Sequence, residues 1–292
     1  MRRSIAMLLL AASGAAFGGC PPDGMPTAAL QQLKATHWNV PDDAHRQRLA
    51  LGLLDCLASP DPLLRDELAF EALQSWMRGE RLDLATVHTI RTTLLTRLSG
   101  PDREGFGAPF AALVLAEVAR IDRRKPFLTP AERHALVQAG AAFLDTVSDY
   151  RGFDAREGWR HGVAHGADLM LQLSLNDALA RDDMLRMLEA IARQVAPASA
   201  HFYIYGEGER LMAPVFYLAR RDTLGEADWD AWFTRLLARY DSKAPTTQAS
   251  LALRHNLNGF LLPLYASLQE NPDTGRRARM LPAVTKALKR LD

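Results

Sequence analysis

The stretch SPDPLLRDELAFEALQSWM, residues 59–77, carries the pattern that decides the fold class. Asp61 stands where a helix N-cap is expected, and Pro62 follows at the first helical position, where its fixed φ fits and its missing N–H is not needed. Apolar residues then recur every four positions, at Leu64, Leu68, Ala72 and Trp76. This spacing predicts an amphipathic helix with one buried face.

The same start and stop signals recur along the rest of the chain. Thr129, Pro130 and Glu132 form a capping-box pattern before an apolar helical stretch. Asp83 precedes another helical stretch, which ends before Gly100. Further amphipathic stretches cover residues 43–58, 108–121, 182–195, 209–220, 227–240, 247–268 and 276–291. The pattern predicts about a dozen helices and almost no strand.

These helices predict an all-α fold. We expect an irregular α-solenoid or an array of antiparallel helix pairs, in a single domain at residues 41–292 that follows a tether and first helix at residues 20–40. The segment DPLLRDELAFEAL resembles the start of a HEAT-type repeat, although no fixed period recurs. The aromatic segment HFYIYG, residues 201–206, is expected to be a loop, because a lone strand cannot form a sheet.

The first 19 residues have the parts of an export signal: two arginines, an apolar run and small residues. The segment FGGC resembles the lipobox of bacterial lipoproteins, in which the cysteine, here Cys20, is lipidated and becomes the mature N-terminus. The lipid would then be the protein's only contact with the membrane, on the periplasmic side of the cell envelope. Cleavage after Ala15 or Ala16 is the alternative, and it allows a Cys20–Cys56 disulfide in an oxidising compartment.

Composition and charge narrow the classes of function. A hydrophobic content of 48% with 24% charged residues is typical of a globular protein with a large core. The net charge of +1 is too balanced to indicate a nucleic-acid or acidic-lipid partner. The chain lacks a G-x-S-x-G elbow, a phosphate-binding loop, a dinucleotide fingerprint and a C-x-x-C motif. The corresponding hydrolase, nucleotide-binding and thiol-redox classes are therefore not indicated.

The stretch GWRHGVAHGADLMLQL, residues 158–173, is the strongest candidate for a site. If it is one helix, Gly158, Gly162 and Gly166 share a stripe on which a neighbour can approach closely. An adjacent stripe is polar but lacks the Arg, Lys and Glu that other helices of the chain place in water. Its members are His161, His165, Asp168 and Gln172.

Three interpretations of this polar stripe stay open. In the first, the stripe faces solvent. In the second, it forms a buried network in which Asp168 accepts a hydrogen bond from His165, and Gln172 forms hydrogen bonds with the remaining polar groups. In the third, it binds a divalent metal. In the third case His161, His165 and Asp168 are the ligands, because imidazoles at i and i+4 can share a metal. A zinc protease of the H-E-x-x-H type is not indicated, because Gly162 occupies the position of the general base.

Two other segments supply candidate residues. Asp149 and Arg151 lie in a charged loop just before the histidine stretch, and they can form an ion pair. Glu207, Glu209 and Arg210 lie at the start of a predicted helix, where carboxylates favour the positive end of the helix dipole. Either glutamate is a candidate for the missing metal ligand or for a catalytic base.

Taken in order, these segments resemble an uncharacterised bacterial family, a domain of unknown function with the pattern D-x-R-G, then G-W-x-H-x-x-A-H-x-x-D, then G-E-D-E-R-L. The resemblance implies an all-helical fold and no established activity. Gly208 departs from the Asp of the pattern. The signature falls on Asp149, Arg151, Gly152, Gly158, Trp159, His161, His165, Asp168, Glu207, Glu209 and Arg210.

We therefore expect an envelope protein that binds a ligand or a partner protein in a groove beside the histidine stretch, without catalysis. The residues expected to bind are Asp149, Arg151, Trp159, Gln172 and Arg210. The alternative is a metal-dependent hydrolase that uses the His/His/Asp set described above, with one of the two glutamates as fourth ligand or base.

Overall fold

Helices make up almost all of the regular structure in the computed structural model, which describes residues 19–22 and 24–291. The predicted signal peptide therefore lies outside the described residues, except for Gly19, and stays a prediction. In chain order the helices are α1 (Thr27–Ala35), α2 (Asp43–Gly52), α3 (Glu71–Arg78), α4 (Leu84–Leu98), α5 (Gly107–Arg124), α6 (Pro130–Thr146), α7 (Gly162–Ser174), α8 (Arg181–Val195), α9 (Glu207–Leu218), α10 (Glu226–Leu236), α11 (Gln248–Gln269) and α12 (Thr274–Leu291).

Two of the predicted caps begin their helices as expected, whereas Asp61 lies one residue before the N-cap, Pro62, and accepts a hydrogen bond from the Leu63 N–H at 2.9 Å. The Asp83 side chain accepts a hydrogen bond from the Thr86 N–H at 2.7 Å, at the start of α4. At the start of α6, Thr129 and Glu132 form the complete capping box, and Pro130 is the first helical residue. Each of these side chains satisfies N–H groups that the first helical turn leaves without a partner.

The helices stack in two layers. In one layer α3 packs on α5, α5 on α7, α7 on α9 and α9 on α11. In the other layer α4 packs on α6, α6 on α8, α8 on α10 and α10 on α12. Successive helices alternate between the layers, so that each new pair buries its apolar faces on the pair before it. The predicted all-α array is thereby confirmed.

Three segments differ from the sequence prediction. The predicted helix at 43–58 ends at Gly52 and is followed by a short 3₁₀ turn, Asp55–Ala58, and a π-helical segment, Leu63–Phe70, precedes α3. The predicted helix start at Gly158 is wrong: Gly158–Trp159 is strand β2, paired antiparallel with β1 (Phe153–Asp154), and α7 begins only at Gly162. The segment 201–206 is a loop, as expected.

Among the described residues, no helix is both long and apolar enough to cross a membrane. Cys20 forms a disulfide with Cys56, which joins the N-terminal segment to the 3₁₀ turn after α2. A sulfur atom in a disulfide cannot also carry a thioether-linked lipid. The structure therefore has the disulfide that the second alternative allows, in place of the expected lipid on Cys20. The cleavage after Ala15 or Ala16 lies outside the described residues and stays a prediction.

We predict that the protein, purified unreduced after export, has no free thiol and no acyl mass on the peptide that contains Cys20. The disulfide spans 36 residues, and closing a loop of that size stabilises the folded chain by about 3–4 kcal/mol. Urea unfolding of Cys56→Ser should show a loss of that size, and mass spectrometry should show Cys20 linked to Cys56. An acylated Cys20 beside a titratable Cys56 thiol would contradict the disulfide.

Candidate functional site

A tight hairpin replaces the first turn of the expected histidine helix. Its two strands pair Phe153 with Trp159 and Asp154 with Gly158. The Asp154 side chain closes the turn by accepting hydrogen bonds from the N–H groups of Arg156 and Glu157, at 2.8 and 2.9 Å. The hairpin presents the ring of Trp159 at the surface and leads directly into α7.

The buried guanidinium of Arg65 holds this hairpin to the helices before it. Arg65 is 0% exposed and donates to the backbone oxygens of Ser59 and Glu157, at 2.8 and 2.7 Å. It also forms an ion pair with Asp66 at 2.7 Å. Asp66 in turn accepts a hydrogen bond from the Trp159 N–H at 3.4 Å. A buried cation needs such partners, because an unpaired one costs several kcal/mol.

Gly158 allows the hairpin to approach Arg65 this closely. Its φ is +73°, and a Cβ atom here would lie 2.7 Å from Pro62 Cβ and 2.9 Å from both the Arg65 guanidinium and the Asp66 carboxylate. Both the backbone angle and the space therefore require glycine. The glycine stripe expected on α7 is present only at Gly162 and Gly166, which face side chains of α5, α6 and the loop after α6.

His161 lies between the hairpin and α7, in the left-handed backbone region with φ 53°. Its ring stacks on Trp159, with centroids 4.7 Å apart and planes 17° apart. Its Nε2 atom lies 3.8 Å from Glu207 Oε1, which is too long for a hydrogen bond. The side chain is buried, and Nε2 has no hydrogen-bond partner among the described residues.

His165 lies one turn further along α7 and is also buried. Its ring meets Phe110 edge-on at 5.0 Å, and its centroid lies 5.8 Å from that of His161. Its Nδ1 atom is buried without a hydrogen-bond partner among the described residues. The two histidines thus lie side by side, shielded from solvent, and each has a ring nitrogen without a hydrogen bond. This arrangement is neither the solvent-facing stripe nor the fully hydrogen-bonded network that the sequence left open.

Burial lowers the pKa of both imidazoles, and the nearby charge of Arg210 contributes in the same direction. The pKa of His161 falls to about 4. That of His165 falls to about 3, and the neighbouring His161 adds to the shift. Both rings are therefore neutral at pH 7, and each nitrogen that carries no hydrogen is an acceptor.

Glu207 is the first residue of α9 and is only 2% exposed. Its Oε2 accepts a hydrogen bond from the Tyr205 N–H at 2.9 Å, and its Oε1 faces His161. Glu209, the other candidate base, is exposed and two residues further along α9. The structure therefore brings one of the two expected glutamates to the histidine pair.

Asp168 and Gln172 do not bond to the histidines, and the expected network is corrected. Asp168 accepts two hydrogen bonds from Arg210, at 2.6 and 2.7 Å, across the α7–α9 contact. Gln172 accepts one from Arg123 of α5 at 2.8 Å. Burial raises the pKa of Asp168, although its ion pair with Arg210 opposes the shift.

The expected metal set is corrected by the same geometry. Within residues 19–22 and 24–291, no three His, Cys, Asp or Glu side chains are grouped so that they could hold a metal ion. Asp168 is committed to Arg210, and in the described part of the chain Glu207 is the one carboxylate within 4 Å of His161. A metal ligated by His161, His165 and Asp168 is not supported by these positions.

The expected ion pair of the preceding loop is confirmed. Arg151 donates to both oxygens of Asp149, at 2.5 to 3.1 Å, and Asp149 also lies 3.8 Å from Arg160. The backbone oxygen of Arg151 accepts from the His161 N–H at 3.1 Å. The pair therefore fixes the path of the chain into α7, and Arg151 is itself largely exposed.

Four exposed apolar side chains of the hairpin and the 201–206 loop form what we call the aromatic patch: Phe153, Trp159, Ile204 and Tyr205. Phe153 tilts onto Trp159 at 5.2 Å, and Tyr205 meets Trp159 edge-on at 5.8 Å. The sequence prediction included only Trp159. The signal for Ile204 and Tyr205 was the aromatic run HFYIYG. No local pattern showed that this run packs against the hairpin that carries Phe153 and Trp159.

Gly208 stands where the resemblance led us to expect Asp, and the structure leaves no room for a side chain at this position. A Cβ atom at Gly208 would lie 2.6 Å from the backbone oxygen of Gly259 on α11. In this chain α9 and α11 touch backbone to backbone at that point. A larger side chain would separate α9 from α11 and shift Glu207 relative to His161.

We predict that Gly158→Ala lowers the free energy of unfolding by roughly 2–4 kcal/mol, because a positive φ and a steric overlap add. Gly259→Ala is the matched control: its Cβ would meet nothing within 4 Å, and alanine in a helix is neutral or stabilising by up to about 1 kcal/mol. Urea denaturation measures both. Equal effects of the two substitutions would contradict the close contact at Gly158.

We also predict that acid destabilises the fold through the histidine pair. In the unfolded chain both histidines bind protons below about pH 6.5. In the folded chain His161 binds a proton only near its lowered pKa of about 4, and His165 only near its pKa of about 3. The free energy of unfolding therefore falls as the pH is lowered, by up to about 1.4 kcal/mol per pH unit for each histidine. Between pH 6.5 and 5 this amounts to roughly 2 kcal/mol for each histidine.

Urea unfolding at pH 7, 6 and 5 measures this slope. His161→Gln and His165→Gln should each flatten it, whereas His45→Gln, at an exposed position of α2, should leave it unchanged. A parent slope that survives both buried substitutions would show that other groups carry the acid sensitivity.

Comparison with known proteins identifies a family. A family model described as "Protein of unknown function (DUF2785)" matches residues 94–266, which is more than half of the chain. The matched region contains the hairpin, α7, the 201–206 loop and Glu207, whereas Arg65 and Asp66 lie before it. The expected resemblance to a domain-of-unknown-function family is confirmed. No curated protein and no solved structure shows significant similarity to the chain.

Proposed function

The chain belongs to the DUF2785 family, and we propose that it is a non-catalytic binding module whose aromatic patch takes a carbohydrate. The observation that carries this proposal is the patch itself: the exposed ring of Trp159 stacks on the buried imidazole of His161, and the exposed rings of Phe153 and Tyr205 flank Trp159. Binding sites for small molecules commonly combine aromatic walls with a few placed polar groups.

The size of the patch favours a small ligand over a stable protein partner. Phe153, Trp159, Ile204 and Tyr205 are 49%, 37%, 69% and 36% exposed. With 150–250 Å² for each aromatic side chain, this exposure amounts to on the order of 400 Å². A stable protein interface needs about 800 Å² on each partner. The patch offers about half of that area.

The polar groups beside the patch favour an uncharged, hydroxyl-bearing ligand. Asp168 and Arg210 neutralise each other in a partly exposed pair, and His161 is neutral because burial lowers its pKa to about 4. Sugar rings have an apolar C–H face that packs on aromatic rings, and hydroxyls that donate to carboxylates and accept from guanidinium groups. The pair of Asp168 and Arg210 offers both an acceptor and a donor.

Catalysis is not part of the proposal. The alternative expected from the sequence, a metal-dependent hydrolase, requires a group of ligands that the described residues do not form. The carboxylate nearest His161, Glu207, is buried and already accepts a hydrogen bond from the Tyr205 backbone. Glu207 therefore fixes the position of the 201–206 loop, which carries Tyr205 of the patch.

We place the module outside the cytoplasm, on the periplasmic side of the envelope. Two independent features support this location: the export pattern of the first residues and the Cys20–Cys56 disulfide, a bond that persists in oxidising compartments. The proposed ligand class fits that location, because envelope polysaccharides are exposed there.

We predict that chito-, cello- or malto-oligosaccharides shift the tryptophan fluorescence of the protein. Trp159 is 37% exposed while the other four tryptophans are 8% exposed or less, so the exposed ring dominates any change that the solvent or a ligand causes. Trp159→Ala and Tyr205→Ala should each weaken binding about tenfold, measured by titration calorimetry, because each removes a stacking surface.

Leu262→Ala is the matched control, because Leu262 is 55% exposed on α11, outside the aromatic patch. It should leave the affinity unchanged. Circular dichroism confirms that each variant is folded. The proposal is wrong if none of the three oligosaccharide series binds the parent, or if Trp159→Ala binds them as tightly as the parent does.

A further inference from the structure

A second concave surface, which we call the α8 groove, lies on the other helix layer. It follows α8 between the end of α6 and α10, and it encloses about 980 Å³. No residue of the aromatic patch lines it. The space is large enough for a ligand of drug size, since such sites commonly enclose 300–1,000 Å³.

The floor of the groove is apolar. Leu185 and Ala192 of α8 line it with partly exposed side chains, together with Leu188, Trp232 and Leu236, which are 3% exposed or less. The Trp232 indole N–H donates to the Leu188 backbone oxygen at 2.8 Å, so its one polar atom is satisfied and its ring stays an apolar wall. This floor can bury methylene groups.

The rim of the groove is charged, and only some of its arginines form ion pairs with carboxylates. Arg186 and Arg193 share Asp145, at 2.5 and 3.4 Å, and Arg193 also pairs with Glu189 at 2.7 Å. With Asp182, the rim carries three carboxylates against four arginines. Arg186 and Arg193 are therefore already neutralised by Asp145 and Glu189.

Arg235 and Arg239 are the remaining cations, one turn apart on α10 and just after its end. Both are exposed, and neither lies within 4 Å of a carboxylate in the described part of the chain. Arg239 donates one hydrogen bond, to the Ala196 backbone oxygen at 2.8 Å, which leaves guanidinium donors unused. Guanidinium groups pair with carboxylates and phosphates through two parallel hydrogen bonds.

We propose that the α8 groove binds a single-chain amphiphilic anion, such as a fatty acid. The carboxylate pairs with Arg235 and Arg239, and the alkyl chain lies along the partly exposed Leu185 and Ala192 of the floor. This site is independent of the aromatic patch, so either proposal can fail without the other.

The test is titration calorimetry of the full chain with octanoate, decanoate and laurate as monomers in low salt. Affinity should rise about fourfold with each methylene, because each buried CH₂ contributes about 0.8 kcal/mol. Octanol, which has the same chain length as octanoate but no charge, should bind at least about tenfold more weakly than octanoate.

Three variants locate the site. Arg235→Gln combined with Arg239→Gln should weaken laurate binding at least about tenfold, and Ala192→Trp, which fills the floor, should reduce it further. Arg48→Gln removes one positive charge from an exposed position on α2 and should leave the affinity within about twofold.

The inference is overturned if laurate does not bind the parent, if octanol binds as tightly as octanoate, or if the double variant matches the parent. Binding to anionic phospholipid vesicles without binding of monomeric laurate also overturns it, since the surface would then recognise a membrane and not a single chain.

Discussion

The buried guanidinium of Arg65 is the constraint on which the arrangement of the site depends. A cation removed from water must keep its hydrogen bonds and a counter-charge, or the fold loses several kcal/mol. Arg65 meets this demand with Asp66 and with backbone oxygens separated by almost a hundred residues in sequence. It also lies 3.8 Å from the ring centroid of Phe106 at the start of α5. Three segments are therefore fixed by one side chain, and the hairpin cannot move without exposing a charge to an apolar interior.

The hairpin in turn determines what the histidines can do. Because α7 begins at Gly162 and not at Gly158, His161 leaves the helix and its ring lies flat under Trp159. The ring is then shielded from water, its pKa falls, and it supports an exposed indole instead of coordinating an ion. The same hairpin meets the loop that precedes α9, so that aromatic side chains distant in sequence form one surface.

The two-layer stacking separates the two candidate binding surfaces. The aromatic patch belongs to the layer that contains α7 and α9, and the α8 groove to the layer that contains α6, α8 and α10. Their electrostatics differ accordingly. Beside the patch, charges are paired and the imidazoles are neutral, whereas the groove carries more arginines than carboxylates. One fold thus presents a surface suited to a neutral ligand and another suited to an anion.

The sequence alone determined the all-helical class, the caps at Asp83 and Thr129 and the region of the site, because helix periodicity and capping are local properties of neighbouring residues. It also showed that Asp149 and Arg151 can pair, since they are two residues apart. It did not reveal that Asp168 pairs with Arg210, that Glu207 faces His161, or that Phe153 and Tyr205 join Trp159. Phe153 and Trp159 are close in sequence and meet across the hairpin. The other contacts unite residues about 40 to 50 positions apart, and only the packing of α7 against α9 and of the hairpin against the 201–206 loop brings them together. Gly158 shows most clearly what the sequence could not predict. It has the spacing of a helical residue relative to Gly162 and Gly166, but its contact with Arg65 requires a positive φ, which a right-handed helix does not allow.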